Sequence, residues 1–75
     1  MPVTTTLDLT GLSCPLPIVK TAKAMQTLMP GDEIEVLATD PGSVPDFTAW
    51  AKTTGNTLLE QTSDEGVFRF VIRKE

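Results

Sequence analysis

The sequence predicts an α/β fold of the α+β type, a two-layer sandwich with two helices on one face of a mixed four-stranded sheet. Three observations support this prediction. Hydrophobic patterns typical of strands and helices follow one another in the order βαβαββ, turn residues separate them, and the chain has only 75 residues. Strand–helix–strand connections are right-handed, so both helices should lie on the same side of the sheet. This length suits a single domain, residues 1–75.

The first half of the chain has the pattern of a strand, a helix and a second strand. Leu7 and Leu9 alternate with polar residues after a run of threonines, which predicts a short strand. Apolar residues then recur at helical spacing and predict a helix that ends at Pro30-Gly31. This stripe consists of Ile18, Val19, Ala22, Met25, Leu28 and Met29. Apolar and mainly charged residues alternate over 33–38, which predicts a strand with one buried face.

A second helix is predicted after Asp40-Pro41-Gly42, which breaks the second strand. The helix should begin at Ser43, whose spacing to Asp46 fits a capping box, and end at Gly55. Trp50 falls at the margin of the apolar face of this helix. We therefore expect it to pack against the core rather than to bind a ligand.

The last third of the chain predicts a β-hairpin. Residues 57–61 have the pattern of a third strand, and residues 67–73 alternate clearly between two faces. Asp64-Glu65-Gly66 between them is typical of a hairpin turn.

The charge balance argues against nucleic-acid binding. The formal charge is −4, so there is no overall positive field to attract phosphate backbones. Five cations could still form a local patch, although we expect them to be solvated surface charges. They are Lys20, Lys23, Arg69, Arg73 and Lys74. We expect no direct contact with nucleic acid.

The chain contains one cysteine and no histidine. A lone thiol forms no internal disulfide, and one soft ligand is too few for a metal site. We therefore expect no metal and no cofactor. No stretch approaches the roughly 20 apolar residues of a membrane span, and the first residues do not resemble a signal peptide. A cytoplasmic location with no membrane contact is expected.

Cys14 stands directly before the predicted first helix, in Cys14-Pro15-Leu16-Pro17. A residue before proline is disfavoured in helical geometry, so Cys14 suits the N-cap and Pro15 the first helical position. The helix dipole and unpaired N–H groups, here those of Leu16 and Ile18, stabilise a thiolate over a thiol. Such sites lower a cysteine pKa from about 8.5 toward neutrality or below. Cys14 is thus the candidate nucleophile.

A free cysteine is more often a small buried apolar residue, which is the competing interpretation of Cys14. The proline pair and the helix start favour a reactive thiol, because a buried cysteine gains nothing from either. Cysteine hydrolases need a base, usually histidine, and dithiol oxidoreductases need a second cysteine. Transfer of sulfane sulfur needs neither residue. Two functions remain: a persulfide relay, and a redox-sensitive regulatory or binding module acting through a mixed disulfide at Cys14.

Residues 7–17 resemble the signature of the TusA/SirA-like sulfur carriers, whose hallmark is Cys-Pro-x-Pro at the first helix. The likeness extends to Pro30-Gly31-Asp32, Asp40-Pro41, Trp50 and the closing hairpin. It implies a persulfide on Cys14 and a sulfurtransferase activity. The implied donors are cysteine desulfurases or rhodanese-like proteins. The implied acceptors are DsrE-like proteins, a tRNA-thiolation relay, or proteins of molybdenum-cofactor assembly or sulfur oxidation.

Two positions beside the cysteine depart from the tRNA-thiolation type of this family. The residue before the cysteine is often arginine there and is Ser13 here, and the residue between the prolines is often acidic there and is Leu16 here. A neutral, apolar rim indicates a different partner. We expect Leu16 to be exposed, Leu12 to lie in the core, and Asp40 to shape a turn, with loop support near the site as its possible further role.

Overall fold

The structure, a computed structural model, describes residues 4–13 and 16–75. Its elements in chain order are β1 (Thr4–Asp8), α1 (Leu16–Met25), β2 (Glu33–Ala38), α2 (Ser43–Thr54), β3 (Thr57–Asp64) and β4 (Val67–Arg73). The strands are arranged in the order β1-β2-β4-β3. β1 runs parallel to β2, and the other pairs are antiparallel. This mixed sheet with two helices confirms the predicted fold class.

The core lies between the sheet and both helices. β2 contributes Ile34, Val36 and Ala38, which are fully buried and alternate with partly exposed residues. They form one cluster with residues from both helices and from β4, which places α1 and α2 on the same sheet face. The other buried members are Leu9, Met25, Phe47, Phe70 and Ile72. The rings of Phe47 and Phe70 stack with their centroids 4.6 Å apart, which couples α2 to the central strand.

The opposite face of the sheet carries a charged network. Arg69 on β4 forms an ion pair with Glu35 on β2, and its guanidinium lies 3.7 Å from a carboxylate oxygen of Glu60 on β3. Thr6 on β1 also donates a hydrogen bond to Glu35, at 3.2 Å. Side chains from all four strands therefore meet across this uncovered face.

α1 is shorter than the hydrophobic pattern predicts. It ends at Met25, and the chain continues to Leu28 through tighter turns with hydrogen bonds from each N–H to the third residue back. Thr27 reinforces the change, because its hydroxyl donates to the carbonyl of Ala24 at 2.7 Å. Met29, expected on the buried stripe, is 69% exposed. The predicted end at Pro30-Gly31 is thus wrong by about a turn of helix.

The start of α2 differs from the predicted capping box. Gly42 is the N-cap and makes no side-chain capping hydrogen bond, and Ser43 is already helical. The Ser43 hydroxyl is fully buried and has no hydrogen-bond partner among the described residues. The Asp40 carboxylate accepts a hydrogen bond from the Gly42 N–H at 3.2 Å, and the Asp40 carbonyl accepts one from Ser43 at 2.9 Å. Asp40 therefore shapes this turn, as predicted.

The rest of α2 follows the prediction. Trp50 is half-buried against the core and meets Phe47 edge-on, with ring centroids 6.2 Å apart. The helix ends at Gly55, which has the expected left-handed conformation with φ +79°.

The β3–β4 hairpin is longer than predicted, because β3 extends to Asp64. Asp64 pairs with Val67, which leaves a two-residue loop, Glu65-Gly66. Both loop residues have positive φ, 51° and 82°. This is the combination that a type I′ turn requires, and Gly66 adopts it without the steric cost of a side chain.

Candidate functional site

The predicted reactive segment falls at the start of α1. Cys14 and Pro15 lie outside the described residues, so the surroundings of the site are those of the chain on either side. Ser13 precedes them, and Leu16 follows as the first residue of α1.

The chain before Cys14 lies beside the loop that follows β2. Because β1 and β2 are parallel neighbours, their carboxyl ends reach the same edge of the sheet. Leu9 continues the pairing by donating to the carbonyl of Leu37 at 2.8 Å. Beyond it, the Gly11 N–H donates to the Thr39 hydroxyl at 2.9 Å. These hydrogen bonds hold the loop that leads to the cysteine against the end of β2.

Hydrogen bonds within the loop fix its shape. One carboxylate oxygen of Asp8 accepts from the Thr10 N–H at 3.1 Å and from the Thr10 hydroxyl at 2.7 Å. These two bonds, that from the hydroxyl first, hold the pKa of Asp8 below its ordinary value. Gly11 then turns the chain with φ +84°, a conformation that favours glycine. Sequence reasoning identified Gly11 as a turn residue but did not identify Thr39 as its partner.

A backbone hydrogen bond and a buried proline contribute to holding the first turn of α1. The Leu16 N–H donates to the Ser13 carbonyl at 3.0 Å. This N–H was expected to be an unpaired donor, and that expectation is wrong. Pro17 is fully buried and anchors the helix start against the rest of the protein. Leu16 is 47% exposed, as predicted. Leu12, which was predicted to lie in the core, is half-buried and packs against it.

The outward side of α1 presents two apolar residues followed by two lysines. Leu16 and Val19 are each about half exposed, and Lys20 and Lys23 are exposed. The hydrophobic pattern had assigned Val19 to the buried stripe. It lies instead on the side of the helix that faces away from Pro17, Thr21 and Met25, which are the buried residues.

The other candidate cations form structural contacts rather than a common patch. Arg69 pairs with Glu35, and Arg73 lies 3.0 Å from a carboxylate oxygen of Glu75. The Lys74 ammonium donates to two carbonyls at the end of α1. The expectation of a solvated surface charge is wrong for Lys74, whereas the side chains of Arg69 and Arg73 remain 38% and 42% exposed in their ion pairs. The partners of Lys74 are backbone atoms distant in sequence, so no pattern in the sequence identifies them.

Metal-binding clusters and membrane-spanning helices are both missing from the described part of the chain. Within residues 4–13 and 16–75, no group of three or more acidic, histidine or cysteine side chains is arranged to hold a metal ion. Neither described helix is long and apolar enough to cross a bilayer.

The fold and the site together define a class of protein. It is a small α/β sandwich whose first helix begins at the carboxyl edge of a parallel strand pair, directly after a cysteine–proline segment. A family model described as sulfurtransferase TusA matches residues 5–74. The chain belongs to this family of sulfur carriers.

Individual relatives agree with the family model. The chain is 50% identical over 68 residues to the sulfur carrier protein TusA of Allochromatium vinosum, covering 91% of this chain and 90% of that protein. It is 52% identical over 68 residues to the putative sulfur carrier protein YrkI of Bacillus subtilis, covering 91% of each. The crystal structure of a SirA-like protein from Desulfitobacterium hafniense superposes with a TM-score of 0.81 at 27% identity. That superposition covers 95% of this chain and 99% of the other.

Proposed function

We propose that Cys14 carries sulfane sulfur as a persulfide, received from one protein and passed to another. The observation that supports this most directly is the family match over residues 5–74 in a chain with one cysteine, because sulfur must then be carried at that residue. Residues 1–75 act in this proposal as one TusA-like domain.

The neighbouring residues would support the thiol. A cysteine at a helix start has a lowered pKa, so its thiolate forms near neutral pH without a histidine. In this proposal Pro15 and Pro17 stiffen the helix start, Leu16 borders the sulfur, and Asp40 supports the loop alongside. The buried position of Pro17 and the turn formed around Asp40 are consistent with those roles.

The proposed reaction is two successive exchanges. The Cys14 thiolate attacks the outer sulfur of a donor persulfide, forming a new S–S bond while the donor's S–S bond breaks. The donor leaves as a thiolate, and the outer sulfur with its proton stays on Cys14. An acceptor thiolate then attacks that outer sulfur in the same way and regenerates the Cys14 thiolate. No external oxidant or reductant is consumed in either exchange.

The partners in this proposal are proteins. A cysteine desulfurase or a rhodanese-like protein would be the donor, and a DsrE-like protein or a component of a tRNA-thiolation relay the acceptor. The exchange fits the reducing cytoplasm, where a lone thiol stays free. Cofactor assembly and sulfur oxidation are alternative destinations for the sulfur.

Intact-protein mass spectrometry tests the proposal. The reduced protein is incubated with a cysteine desulfurase and L-cysteine, or with a rhodanese and thiosulfate. We expect the mass to rise by one sulfur atom, the gain to disappear on reduction, and Cys14→Ser to gain nothing. The alternative of a redox-sensitive module predicts instead a glutathione adduct or an intermolecular disulfide under oxidant. That pattern, with no sulfur gained from either donor, would exclude the relay.

A further inference from the structure

We propose that the outward face of α1 is the surface on which a sulfur-exchanging protein docks, and that this partner presents an apolar patch edged by carboxylates. The face consists of Leu16, Val19, Lys20 and Lys23, which together form the α1 strip. This inference rests on the proposed function and adds to it the chemistry of the partner's surface.

The four residues share one side of the helix. Their spacing, i, i+3, i+4 and i+7, is that of a single helical face. Pro17, Thr21 and Met25 occupy the buried side of the same helix. α1 therefore has two organised faces, one packed in the core and one open to solvent.

The apolar part of the α1 strip lies nearest the cysteine. Leu16 is 47% and Val19 51% exposed, and they are adjacent one turn apart. Among the described residues, the other exposed large apolar side chains are those of Met29, past the end of α1, and Leu59, on β3. A partner that covers Leu16 and Val19 removes apolar surface from water close in sequence to Cys14, the proposed site of sulfur exchange.

The basic part of the α1 strip has no internal counterion. α1 contains no acidic residue, so all ten acidic residues of the chain lie elsewhere. Within the part of the chain that the structure describes, neither Lys20 nor Lys23 has an ion-pair partner, whereas Arg69 and Arg73 both do. A protein of formal charge −4 thus keeps two free positive charges on the helix that follows its cysteine. Such an arrangement favours a partner with a complementary acidic rim.

The position of the α1 strip connects it to the sulfur exchange. It begins at Leu16, two residues after Cys14. A protein that exchanges sulfur with Cys14 therefore comes close to the first turn of α1. RNA is the less favoured occupant, because the overall negative charge opposes a phosphate backbone beyond these two lysines.

The test compares loading from a protein donor with loading from inorganic polysulfide, a small donor that needs no docking surface. The protein donors are the cysteine desulfurases and rhodanese-like proteins of the same organism, supplied with L-cysteine or thiosulfate. Lys20→Glu/Lys23→Glu is compared with Lys52→Glu, which reverses an exposed charge near the end of α2. Val19→Gln is compared with Met29→Gln, which changes an exposed apolar residue outside the α1 strip.

At an ionic strength of about 0.01 M, we expect the double lysine variant to load from the protein donor about tenfold more slowly than wild type. The difference should shrink as salt is added. Val19→Gln should also slow protein loading, and its deficit should persist at high salt. Polysulfide should load every variant at the wild-type rate, and the two control variants should behave as wild type with both donors.

Several results would overturn the docking proposal while leaving the persulfide site intact. One such result is that wild type and the double lysine variant load from the protein donor at the same rate. A second is that Lys52→Glu loses as much of its protein-loading rate as the double lysine variant does. A third is that polysulfide loads the wild type but no donor protein does. Salt-sensitive RNA binding that disappears in the double variant, with unchanged protein loading, would assign the α1 strip to RNA instead. Failure of both polysulfide and protein donors to modify the wild type would reject the proposed function itself, and the docking proposal with it.

Discussion

The ammonium of Lys74 lies 2.7 Å from the carbonyl oxygen of Leu28, just beyond the end of α1. It also donates to the Met25 carbonyl at 2.9 Å. The backbone of Lys74 pairs with Gly31 and Asp32, at 2.7 and 2.9 Å, ahead of β2. Lys74 therefore joins the end of α1 to the residues that come just before β2. Its charge lies where the negative end of the helix dipole favours a cation.

Lys74→Met should destabilise the protein by about 1–2 kcal/mol, since it keeps most of the side-chain length but removes both charge-assisted hydrogen bonds. The free energy of unfolding from urea titration measures the effect. Lys52→Met removes an exposed charge from α2 and should change stability by no more than about 0.5 kcal/mol. Equal losses in the two variants would contradict a specific role for Lys74.

The Glu35–Arg69 ion pair should make stability depend on pH. The hydrogen bond from Arg69 holds the pKa of Glu35 below its ordinary value of 4.5. The stabilisation is therefore complete above that value and is lost as the pH falls through the lowered pKa. Glu35→Gln should lose stability at neutral pH, and its deficit relative to wild type should narrow progressively in acid.

A double-mutant cycle with Glu35→Gln and Arg69→Met isolates this pair. The coupling free energy should be favourable at about pH 7 and should shrink toward about pH 3. A coupling that stays constant over this range would show that Glu35 protonation is not responsible. Urea unfolding of the four proteins at each pH supplies the data.

The hairpin offers a stabilising substitution. Glu65 adopts φ 51°, a left-handed conformation that asparagine tolerates better than glutamate. Glu65→Asn should raise the free energy of unfolding by about 0.5–1 kcal/mol. For a domain of this size, that corresponds to about 2–8 °C in Tm. Glu65→Gln is the control, because it removes the charge without favouring the left-handed conformation. It should give little of the increase in the free energy of unfolding expected for Glu65→Asn.

Thr39 should influence the reactive segment through Gly11. Thr39→Val preserves shape but removes the acceptor of the Gly11 N–H, at a cost of about 0.5–1.5 kcal/mol. If the loop positions the cysteine, persulfide loading from polysulfide should also slow. Thr62→Val, an exposed position on β3, is the matched control and should leave both stability and loading close to wild type. Normal loading in Thr39→Val would mean that the hydrogen bond matters for folding alone.

The sequence was sufficient to predict the order of elements because each has its own hydrophobic period. Alternation over residues 33–38 and 67–73 indicated two strands, with one buried face over 33–38. The right-handed crossover rule placed both helices on one side. Gly55 and the hairpin turn were also identified correctly, because left-handed conformations favour particular residues.

Element ends depended on particular side-chain contacts and could not be predicted in the same way. The apolar spacing continues to Met29, but Thr27 and the ammonium of Lys74 take the carbonyls that a longer helix would have used. Ser43 has the composition of a capping residue, yet Asp40 shapes the turn and leaves the serine buried. In both cases the deciding contact is not part of the hydrophobic pattern.

The residues of the candidate site could be predicted from the sequence, but the exposure and contacts of their neighbours could not. The Cys14-Pro15-Leu16-Pro17 motif at the first helix is visible in the sequence. The exposure of Val19 could not be predicted from the sequence. Its spacing beside the buried stripe fits a core position as well as an exposed one. Thr39 was missed because its contact with Gly11 depends on the pairing of β1 with β2.

The position of β4 between β2 and β3 has a consequence for how the chain folds during synthesis. β4 is the last of the four strands to be made, and it supplies Phe70 and Ile72 to the core. A nascent chain that stops at Gly66 has neither the central strand nor a partner for β3. Such a chain cannot close its core, so folding on the ribosome must wait until β4 has emerged. Early intermediates therefore expose the edges of β2 and β3, and chaperones can bind them there.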